Sequence, residues 1–345
     1  MSSLTSPRSS APVAPIPRKT VEPRDDLFRF LRQHGKRCLG YSSLQPGLEY
    51  FIDDEMGYIA FQSFRHPLLA VTGRKIVVSN PICAPANYQA LTQRFLAQHP
   101  KAIFLQIDHD YATVLASMGY QVNCFGIETE IPLAGFNVNG KHRSKLRQWR
   151  NKCEREEVVV EHCKISDLDP NEIQSLSNAW LKNRSGREFT LLTRPFQACD
   201  EEDVFFLTAR QHGKLIGMTS FDPIYDAGKV SAYYHNIDRI ASDAPNGTSA
   251  FCILEAIKLF ALEEIQYVTL GFSPLYDLQE VFPHSRITNF SLRFAYDHLN
   301  FLYPFQGNAS HKKKFGGDSK PVYVSCTQGN SVRELLSIIK TLKLF

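Results

Sequence analysis

The chain has 345 residues, of which 43% are hydrophobic and 21% are charged, a composition typical of a globular protein of about two domains. Its net charge is only +4, so DNA is not an expected partner, and contact with RNA or a membrane surface requires local basic patches. No apolar run approaches the roughly 20 residues of a membrane span. The eight cysteines contain no C-x-x-C pair and the histidines have no ligand-type spacing. We therefore expect no metal, and a cytoplasmic location or a peripheral one at the inner face of the membrane.

The first part of the chain divides into a tail and a regular series of elements. Residues 1–26 are rich in proline and serine and lack the apolar core of a secretory signal, which predicts a disordered tail. Apolar periodicity and turn residues then predict a domain over residues 27–139. Its elements are a helix (27–38), three strands (48–53, 57–64 and 75–80), a helix (86–99), a strand (101–107), a helix (111–119) and a strand (121–131).

Residues 157–330 repeat this plan. The elements are a strand (158–165), a helix (170–184), three strands (203–211, 214–222 and 229–238), a helix after Gly247, a strand (267–272), a helix (290–301) and a strand (322–326). A meander of strands combined with alternating helices and strands indicates an α/β fold with a mixed α+β sheet. The order of elements in each half is that of the acetyltransferase-like (GNAT) fold, so the sequence predicts two such domains in tandem.

A basic segment, residues 140–156, separates the two predicted domains. On a helix Arg143, Arg147 and Arg150 share one face. Such a block neutralises phosphates without reading base sequence, although a solvated linker helix explains the same pattern. The residues predicted to contact RNA are Lys141, Arg143, Lys145, Arg147, Arg150 and Lys152.

The turn Asp243–Gly247 leads directly into an amphipathic helix, and backbone N–H groups at a helix start form an anion site. Acetyl-CoA-binding members of the predicted fold carry [QR]-x-x-G-x-[GA] here. This chain has Ala244 in place of the Gln or Arg and Ser249 in place of the last Gly or Ala. The acidic Asp243 would also repel a pyrophosphate. We therefore expect this fold without a coenzyme A site and without any other cofactor. Alternatively, the turn serves only to start the helix.

Five separated motifs, GYSSLQPGLEYFI, GKHRSKLRQWRNK, DRIASDAPNGTSAF, LGFSPL and KKKF, occur in order across nearly the whole chain. Together they resemble the C-terminal catalytic domain of the phosphatidylglycerol lysyltransferase family, the multiple peptide resistance factors. The resemblance implies tandem acetyltransferase-like domains, an aminoacyl-tRNA donor and a lipid hydroxyl acceptor. Relatives without membrane spans use sterols or small hydroxylamines. Gly317 and Ser319 replace the family's proline and aromatic residue, and we expect no counterpart of the family's membrane-spanning region, so a small-molecule acceptor stays open.

The resemblance also implies a set of site residues. The predicted substrate-binding residues are Arg239, Thr248, Gly271, Pro274, Lys312, Lys313 and Lys314. N–H groups around Asn246 and Gly247 are predicted oxyanion donors, and Asp243 or His235 is predicted to accept the proton of the acceptor. Two alternatives compete with these roles: His235 as a histidine satisfied at a strand end, and the three lysines as a solvated loop.

The sequence therefore predicts an aminoacyltransferase that moves an amino acid from aminoacyl-tRNA to a phosphatidylglycerol-type headgroup or another hydroxyl or amine acceptor. No nucleophile has a partner base nearby in sequence, which favours direct attack on the ester. An acyl-CoA-dependent N-acyltransferase and a non-catalytic RNA- or membrane-binding protein are the alternatives. Residues 331–345 form an amphipathic basic helix, with Val332, Leu335, Leu336, Ile339 and Leu342 on one side. This helix packs on its own domain or lies on a membrane.

Overall fold

The structure, a computed structural model, describes residues 25–183, 191–300 and 304–342. The predicted tail, residues 1–26, lies almost entirely outside these ranges, as do the last three residues of the predicted C-terminal helix. The helices are α1 (Asp25–His34), α2 (Tyr88–Gln98), α3 (His109–Ser117), α4 (Ser144–Arg155), α5 (Pro170–Asn183), α6 (Thr248–Phe260), α7 (Arg286–His298), α8 (Phe305–Lys313) and α9 (Val332–Thr341).

The strands belong to one mixed sheet. They are β1 (Glu49–Asp53), β2 (Gly57–His66), β3 (Ala70–Val78), β4 (Ile82–Cys83), β5 (Ala102–Ile107), β6 (Val122–Pro132), β7 (Val158–His162), β8 (Phe205–Gln211), β9 (Lys214–Asp226), β10 (Lys229–Ile240), β11 (Tyr267–Pro274) and β12 (Asp318–Cys326). Their order across the sheet is β1-β2-β3-β5-β12-β6-β11-β10-β9-β8-β7, with β4 paired to β2. The predicted α/β class with a mixed sheet is confirmed.

The two halves of the chain share this sheet. β12 comes late in the sequence, yet it pairs antiparallel with both β5 and β6 of the first half. β6 pairs in turn with β11 of the second half. One hydrogen-bonded sheet therefore contains strands from both sides of the basic segment 140–156. The domain boundaries drawn from the sequence stay a prediction.

The sequence pattern misses α8 and misplaces the start of α7. Gly307 and Asn308 are poor helix formers, which hides α8 from an analysis of periodicity. α7 begins at Arg286 rather than at residue 290, because the side-chain oxygen of Ser285 caps it by accepting a hydrogen bond from the Thr288 N–H at 3.3 Å. As a consequence, Lys312 lies on a helix and not in a loop.

Aromatic side chains fix the helices against the sheet. In the first half, Phe104 packs edge-on against Tyr111 of α3, with ring centroids 5.7 Å apart. In the second half, Phe260 of α6 stacks on Tyr233 of β10 at 4.3 Å and packs edge-on against Phe221 of β9 at 5.4 Å. Truncating a buried ring of this kind to alanine costs roughly 3–5 kcal/mol. α6 is therefore held firmly against the strands that carry the site described below.

Each half contains one pair of parallel strands that separate after a few residues. β3 and β5 pair over Lys75–Val78 and Ala102–Leu105, and we call the point where they part the first fork. β10 and β11 pair over Ala232–Tyr234 and Tyr267–Thr269 and then part at the second fork. In open α/β sheets, ligands bind where neighbouring strands diverge at their carboxyl ends.

Candidate active site

The second fork is opened by irregularities in both of its strands. β10 bulges at Asn236, between the pairs that His235 and Ile237 make with β9. β11 carries an extra residue around Gly271, which has a φ of +70°. A Cβ atom at Gly271 would lie 2.3 Å from the ring of Tyr234. The predicted substrate residue Gly271 thus makes room for a neighbouring ring, and the bulges turn side chains into the fork.

His235 is the buried imidazole of the second fork. Its Nε2 atom is buried and has no hydrogen-bond partner within the described ranges. The same atom lies 3.9 Å from Oδ1 of Asp238. Burial lowers the pKa of His235, with Asp238 acting to raise it and Lys312 to lower it further. A neutral imidazole with an unpartnered nitrogen is suited to accept a proton.

Asp238 connects His235 to the start of α6. Its Oδ2 atom accepts a hydrogen bond from the Ser249 hydroxyl at 2.6 Å, and Ser249 is the second residue of α6. The positive end of a helix dipole favours a negative charge in this position. A carboxylate of the protein therefore already interacts with the helix start, where acetyl-CoA-binding members of the predicted fold bind a pyrophosphate.

α8 brings two further basic side chains to the fork. Nζ of Lys312 donates a hydrogen bond to the Phe272 carbonyl at 2.7 Å. Desolvation lowers the pKa of Lys312 to about 7, and desolvation lowers the pKa of His311 to about 4. At neutral pH His311 is uncharged and Lys312 exists in both charged and neutral forms. Within the described ranges, no group of three His, Cys, Asp or Glu side chains is arranged to hold a metal ion.

A buried polar cluster of the first half lies behind Lys312. Glu128 of β6 is 2% exposed and accepts hydrogen bonds from Arg37 Nη2 at 2.7 Å, Cys38 Sγ at 3.1 Å and Gln106 Nε2 at 2.9 Å. The charge of Glu128 acts to raise the pKa of Lys312. Lys312 thus lies within electrostatic range of this cluster.

The turn Asp243–Gly247 does not lie in the fork as its predicted catalytic role requires. The Asp243 side chain is 64% exposed and its Oδ2 atom pairs with Nζ of Lys214 at 2.7 Å. The hydrogen bond from Lys214 lowers the pKa of Asp243. A surface carboxylate held in its ionised form is a poor proton acceptor, so of the two predicted bases only His235 has a suitable environment.

The other residues of this turn have structural roles or face outward. Gly247 has a φ of +106°, and a Cβ atom there would lie 2.5 Å from the Trp149 side chain. Thr248 is buried and its hydroxyl donates to the Pro245 carbonyl at 2.7 Å, while Asn246 is exposed. Trp149 therefore packs directly against Gly247, at the turn where a phosphate would otherwise be cradled.

The remaining four predicted substrate-binding residues are Arg239, Pro274, Lys313 and Lys314. Arg239 is 2% exposed on the α5 face of β10, with its guanidinium 4.7 Å from the Phe196 ring centroid and 5.2 Å from that of Trp180. Pro274 is half-buried at the end of β11. Lys313 is exposed, and Lys314 donates to the Ser310 carbonyl at 2.8 Å. Arg239 thus packs in the core, on a different side of β10 from Asp238.

A surface groove of about 500 Å³ runs along α4 and reaches the turn before α6. Its lining residues are Lys145, Gln148, Trp149, Asn151, Lys152, Arg155 and Asn246. The lining contains three cations and no acid, which suits a polyanion. The ring of Trp149 also lies 5.8 Å from that of His311, so this one side chain separates the groove from the second fork.

The predicted RNA-binding residues of α4 fall into two groups. Arg143 donates to the Phe315 carbonyl at 3.1 Å, and Arg147 donates to the carbonyls of Val138 and Gly140 at 2.6 Å. Arg143 and Arg147 are thus engaged with backbone carbonyls of the protein. The arginine face predicted from the sequence therefore does not line the groove. Lys141 and Lys145 are exposed and available to a ligand, whereas Arg150 lies 3.6 Å from Glu154 and Lys152 lies 3.8 Å from Glu156.

Residues 28–326 match the family model described as "Phosphatidylglycerol lysyltransferase, C-terminal". The chain belongs to this family. A curated relative, the phosphatidylglycerol lysyltransferase of Bacillus subtilis, is 25% identical over 92% of the chain. That alignment covers 36% of the relative, so the chain spans about a third of its length.

Solved structures confirm the fold of this lysyltransferase-family chain. L-PGS from Bacillus licheniformis aligns with a TM-score of 0.74 and 20% identity, over 94% of this chain and 99% of that one. The C-terminal domain of a lysylphosphatidylglycerol synthetase from Agrobacterium fabrum aligns with a TM-score of 0.72 and 18% identity, over 91% and 95%. The resemblance drawn from the five motifs is therefore confirmed.

Sequence reasoning missed several polar residues of the fork in this family member. Asp238 follows His235 by three residues, so proximity in sequence was a usable signal for it. Glu128 and Cys38 carried no such signal, because they lie in a different half of the chain and reach Lys312 only through the shared sheet.

Proposed function

We propose that this chain transfers an amino acid from aminoacyl-tRNA to a hydroxyl of a phosphatidylglycerol-type lipid headgroup, or to another hydroxyl or amine acceptor. The observation that carries the proposal is the buried, unpartnered Nε2 atom of His235 in a fork that also holds uncharged His311 and Lys312 of lowered pKa. Family membership supports transfer of an amino acid to a lipid. Because the chain spans about a third of its curated relatives, their activity is carried over here as a proposal.

The reaction follows from the geometry of the fork. His235 Nε2 accepts the proton of the acceptor hydroxyl while the acceptor oxygen attacks the ester carbonyl of the donor. A new carbon–oxygen bond forms, and the tetrahedral intermediate then breaks the bond to the ribose oxygen, which receives the proton from His235. Asp238, 3.9 Å away, stabilises the imidazolium. Lys312 in its charged form donates to the developing oxyanion.

The choice of donor rests on the start of α6 and on the groove. The Trp149 side chain packs against Gly247 at this helix start, and the Asp238 carboxylate already interacts there through Ser249. A coenzyme A pyrophosphate would meet both a bulky ring and a negative charge. The groove beside Trp149 is cationic, and phosphates of a tRNA acceptor stem suit it. An aminoacyl ester is already activated, so it needs no pyrophosphate site.

The choice of acceptor rests on the family. The relative in Bacillus subtilis is named phosphatidylglycerol lysyltransferase, which supports a headgroup hydroxyl as the acceptor and an amino acid as the transferred group. The histidine base suits a hydroxyl, since a hydroxyl must lose its proton as it attacks. An amine acceptor is already nucleophilic in its neutral form and would depend less on His235.

The test is a transfer assay with the full chain. The protein is incubated with tRNA charged with labelled amino acids and with phosphatidylglycerol vesicles or a water-soluble glycerol phosphodiester, with and without RNase. We expect label in the acceptor that disappears with RNase and that falls strongly in His235→Gln. His212→Gln, an exposed histidine on the β8–β9 hairpin, serves as the matched control.

Each outcome of this assay is informative. RNase-resistant transfer that requires acetyl-CoA would establish the acyl-CoA-dependent alternative. Salt-dependent tRNA binding without turnover by any acceptor would establish a non-catalytic RNA-binding protein. Transfer to an amine that survives in His235→Gln would retain the donor and replace the proposed acceptor.

A further inference from the structure

Ten large apolar side chains are exposed in the described part of the chain, and eight of them lie on three elements. These elements are the β2–β3 hairpin tip (residues 65–74), α7 with the residues just before it, and α9. We call the eight side chains the apolar face: Leu68, Val71, Val281, Ile287, Phe290, Phe294, Val332 and Leu336. Single exposed apolar residues are ordinary, whereas a concentration of this kind marks an interaction surface.

The three elements adjoin one another. Arg333 of α9 donates from Nε to the Leu69 carbonyl of the hairpin tip at 2.8 Å, and Glu334 pairs with Arg74 of the same hairpin. On its other side α9 packs against α7. The eight side chains therefore belong to one region of the surface.

α7 contributes the strongest part of this region. Thr288 and Leu292 form its buried side. Ile287, Phe290 and Phe294 are 71%, 71% and 50% exposed and follow one another at helical spacing on the opposite side. The rings of Phe290 and Phe294 lie parallel, with centroids 6.5 Å apart. A helix that is apolar on its outer side as well as its inner side needs a non-aqueous neighbour.

The charges around the apolar face are mostly positive. The hairpin tip, α7 and α9 together contain six cations, Arg65, Arg74, Arg286, Arg293, Arg333 and Lys340, against two acids, Asp297 and Glu334. The side chains of Glu334 and Arg74 are both largely buried and pair with each other, so this pair adds little charge of either sign to the surface, and five cations face one acid. None of the helices that the structure describes is long and apolar enough to cross a membrane.

We propose that the apolar face binds the surface of an anionic lipid bilayer, with α7 lying along the interface. Exposed phenylalanines with flanking arginines suit the headgroup region, where rings enter the acyl boundary and cations meet lipid phosphates. A symmetric dimer through the same face would bring the arginines of two copies together, which opposes self-association. The choice of a lipid partner rests on the proposed function.

The apolar face adjoins the candidate active site. α8, which carries His311 and Lys312, follows α7 in the chain, and Gln306 of α8 donates from Nε2 to the Tyr296 carbonyl of α7 at 3.4 Å. Arg293 of α7 donates to the Leu278 carbonyl, in the segment that leaves β11, at 2.6 Å. A bilayer bound by α7 therefore lies one helix away from the fork that would receive the headgroup.

This surface differs from the one that the sequence predicts. The predicted apolar side of the C-terminal helix combines Val332, Leu335 and Leu336. In the structure Leu335 and Ile338 are buried against the core, while Val332 and Leu336 are exposed. α9 therefore packs on the body of the protein, and its exposed residues extend the face built mainly by α7.

The experiment measures sedimentation of the full chain with vesicles of phosphatidylcholine alone or mixed with phosphatidylglycerol. We expect binding to the mixed vesicles that weakens as salt is raised. The double variant Phe290→Glu/Phe294→Glu should bind at least roughly tenfold more weakly, since it removes two apolar contacts and adds negative charge. Leu262→Glu is the matched control, because Leu262 is 82% exposed and lies on none of the three elements; it should bind like the wild type.

Three results would overturn the proposal: no binding of the wild type to phosphatidylglycerol vesicles, equal loss in the double variant and the Leu262→Glu control, or a wild-type dimer that becomes monomeric in the double variant. The variant Arg286→Glu/Lys340→Glu provides a second test that leaves the apolar residues in place. Unchanged vesicle binding by this variant would contradict the proposed contribution of the cations to lipid binding. Amino-acid transfer to phosphatidylglycerol vesicles and to the water-soluble glycerol phosphodiester is measured in parallel. Absence of transfer to both acceptors would contradict the proposed function, whereas vesicle binding tests the face alone.

Discussion

The first and second forks share a backbone plan and differ in their chemistry. Both arise where two parallel strands separate after three or four paired residues. In the first fork, Glu128 binds Arg37 at 2.7 Å, and Arg37 Nε lies 3.7 Å from Asp108. In the second fork, His235 keeps one nitrogen without a partner in the described ranges, and Lys312 has a pKa lowered to about 7.

This difference indicates a division of labour. Opposite charges held at short range stabilise a fixed arrangement and leave little capacity to exchange protons. Desolvated basic groups without a strong counter-charge have pKa values near or below neutral, which is the state that proton transfer requires. We therefore propose that the first fork is a structural centre and that the second is the centre of chemistry.

The largest expected effect is on turnover in the second fork. His235→Gln should reduce kcat by roughly 10²–10⁴-fold, the usual contribution of a positioned general base, with little change in folding stability. Transfer of labelled amino acid measures it. If Asp243→Asn caused this loss instead, while His235→Gln stayed active, the turn would be the catalytic element and the comparison of the forks would fail.

The corresponding change in the first fork should affect stability. Glu128→Gln removes the charge that compensates the buried Arg37 guanidinium, and breaking such a pair costs about 3–5 kcal/mol of unfolding free energy. Urea denaturation measures it. Glu49→Gln is the control, since its pair with Lys75 is half exposed and contributes about 1 kcal/mol or less. Equal effects of the two variants would show that the cluster around Glu128 is not a structural centre.

The pH dependence of stability should separate the forks further. The pKa of His311 is about 4 in the folded protein against an ordinary 6.5. Between these pH values the unfolded chain binds more protons, so stability rises with pH and is lost as pH falls from about 6.5 to 4. Lys312, with a pKa of about 7 against 10.5, gives a second rise from about pH 7 to 10.5.

Each of these two steps should amount to about 1–3 kcal/mol. Urea denaturation across pH measures them. His311→Phe should flatten the acid step and Lys312→Met the alkaline step. Parallel pH profiles of wild type and both variants would mean that these groups are solvated in the folded protein.

The smallest expected effect concerns the groove beside the second fork. Lys145→Glu/Lys152→Glu should weaken tRNA binding by roughly tenfold at moderate salt and make the dependence on salt less steep. Filter binding over a salt series measures both. Lys229→Glu, on the distant β9–β10 turn, should bind like wild type. If the control loses as much affinity as the groove variant, binding is a property of net charge and the groove has no special part.

The sequence by itself determined the family, the α/β class and most elements, because motifs and apolar periodicity are local properties of the chain. It also identified Lys312 through the KKKF motif, and His235 through its position shortly before the turn Asp243–Gly247. Local pattern could not reveal α8, whose glycine and asparagine are weak helix formers that tertiary packing overrides.

Only the tertiary structure decided which candidates act together. Asp243 follows His235 by only eight residues, yet its side chain faces solvent and pairs with Lys214. Glu128 and Lys312, by contrast, are 184 residues apart in the sequence and interact electrostatically. That interaction arises because β11 pairs with β6, which places Phe272 opposite Glu128, and Lys312 donates to the Phe272 carbonyl. Burial, which sets the protonation of His235, His311 and Lys312, is likewise a property of the packed sheet and not of any single segment.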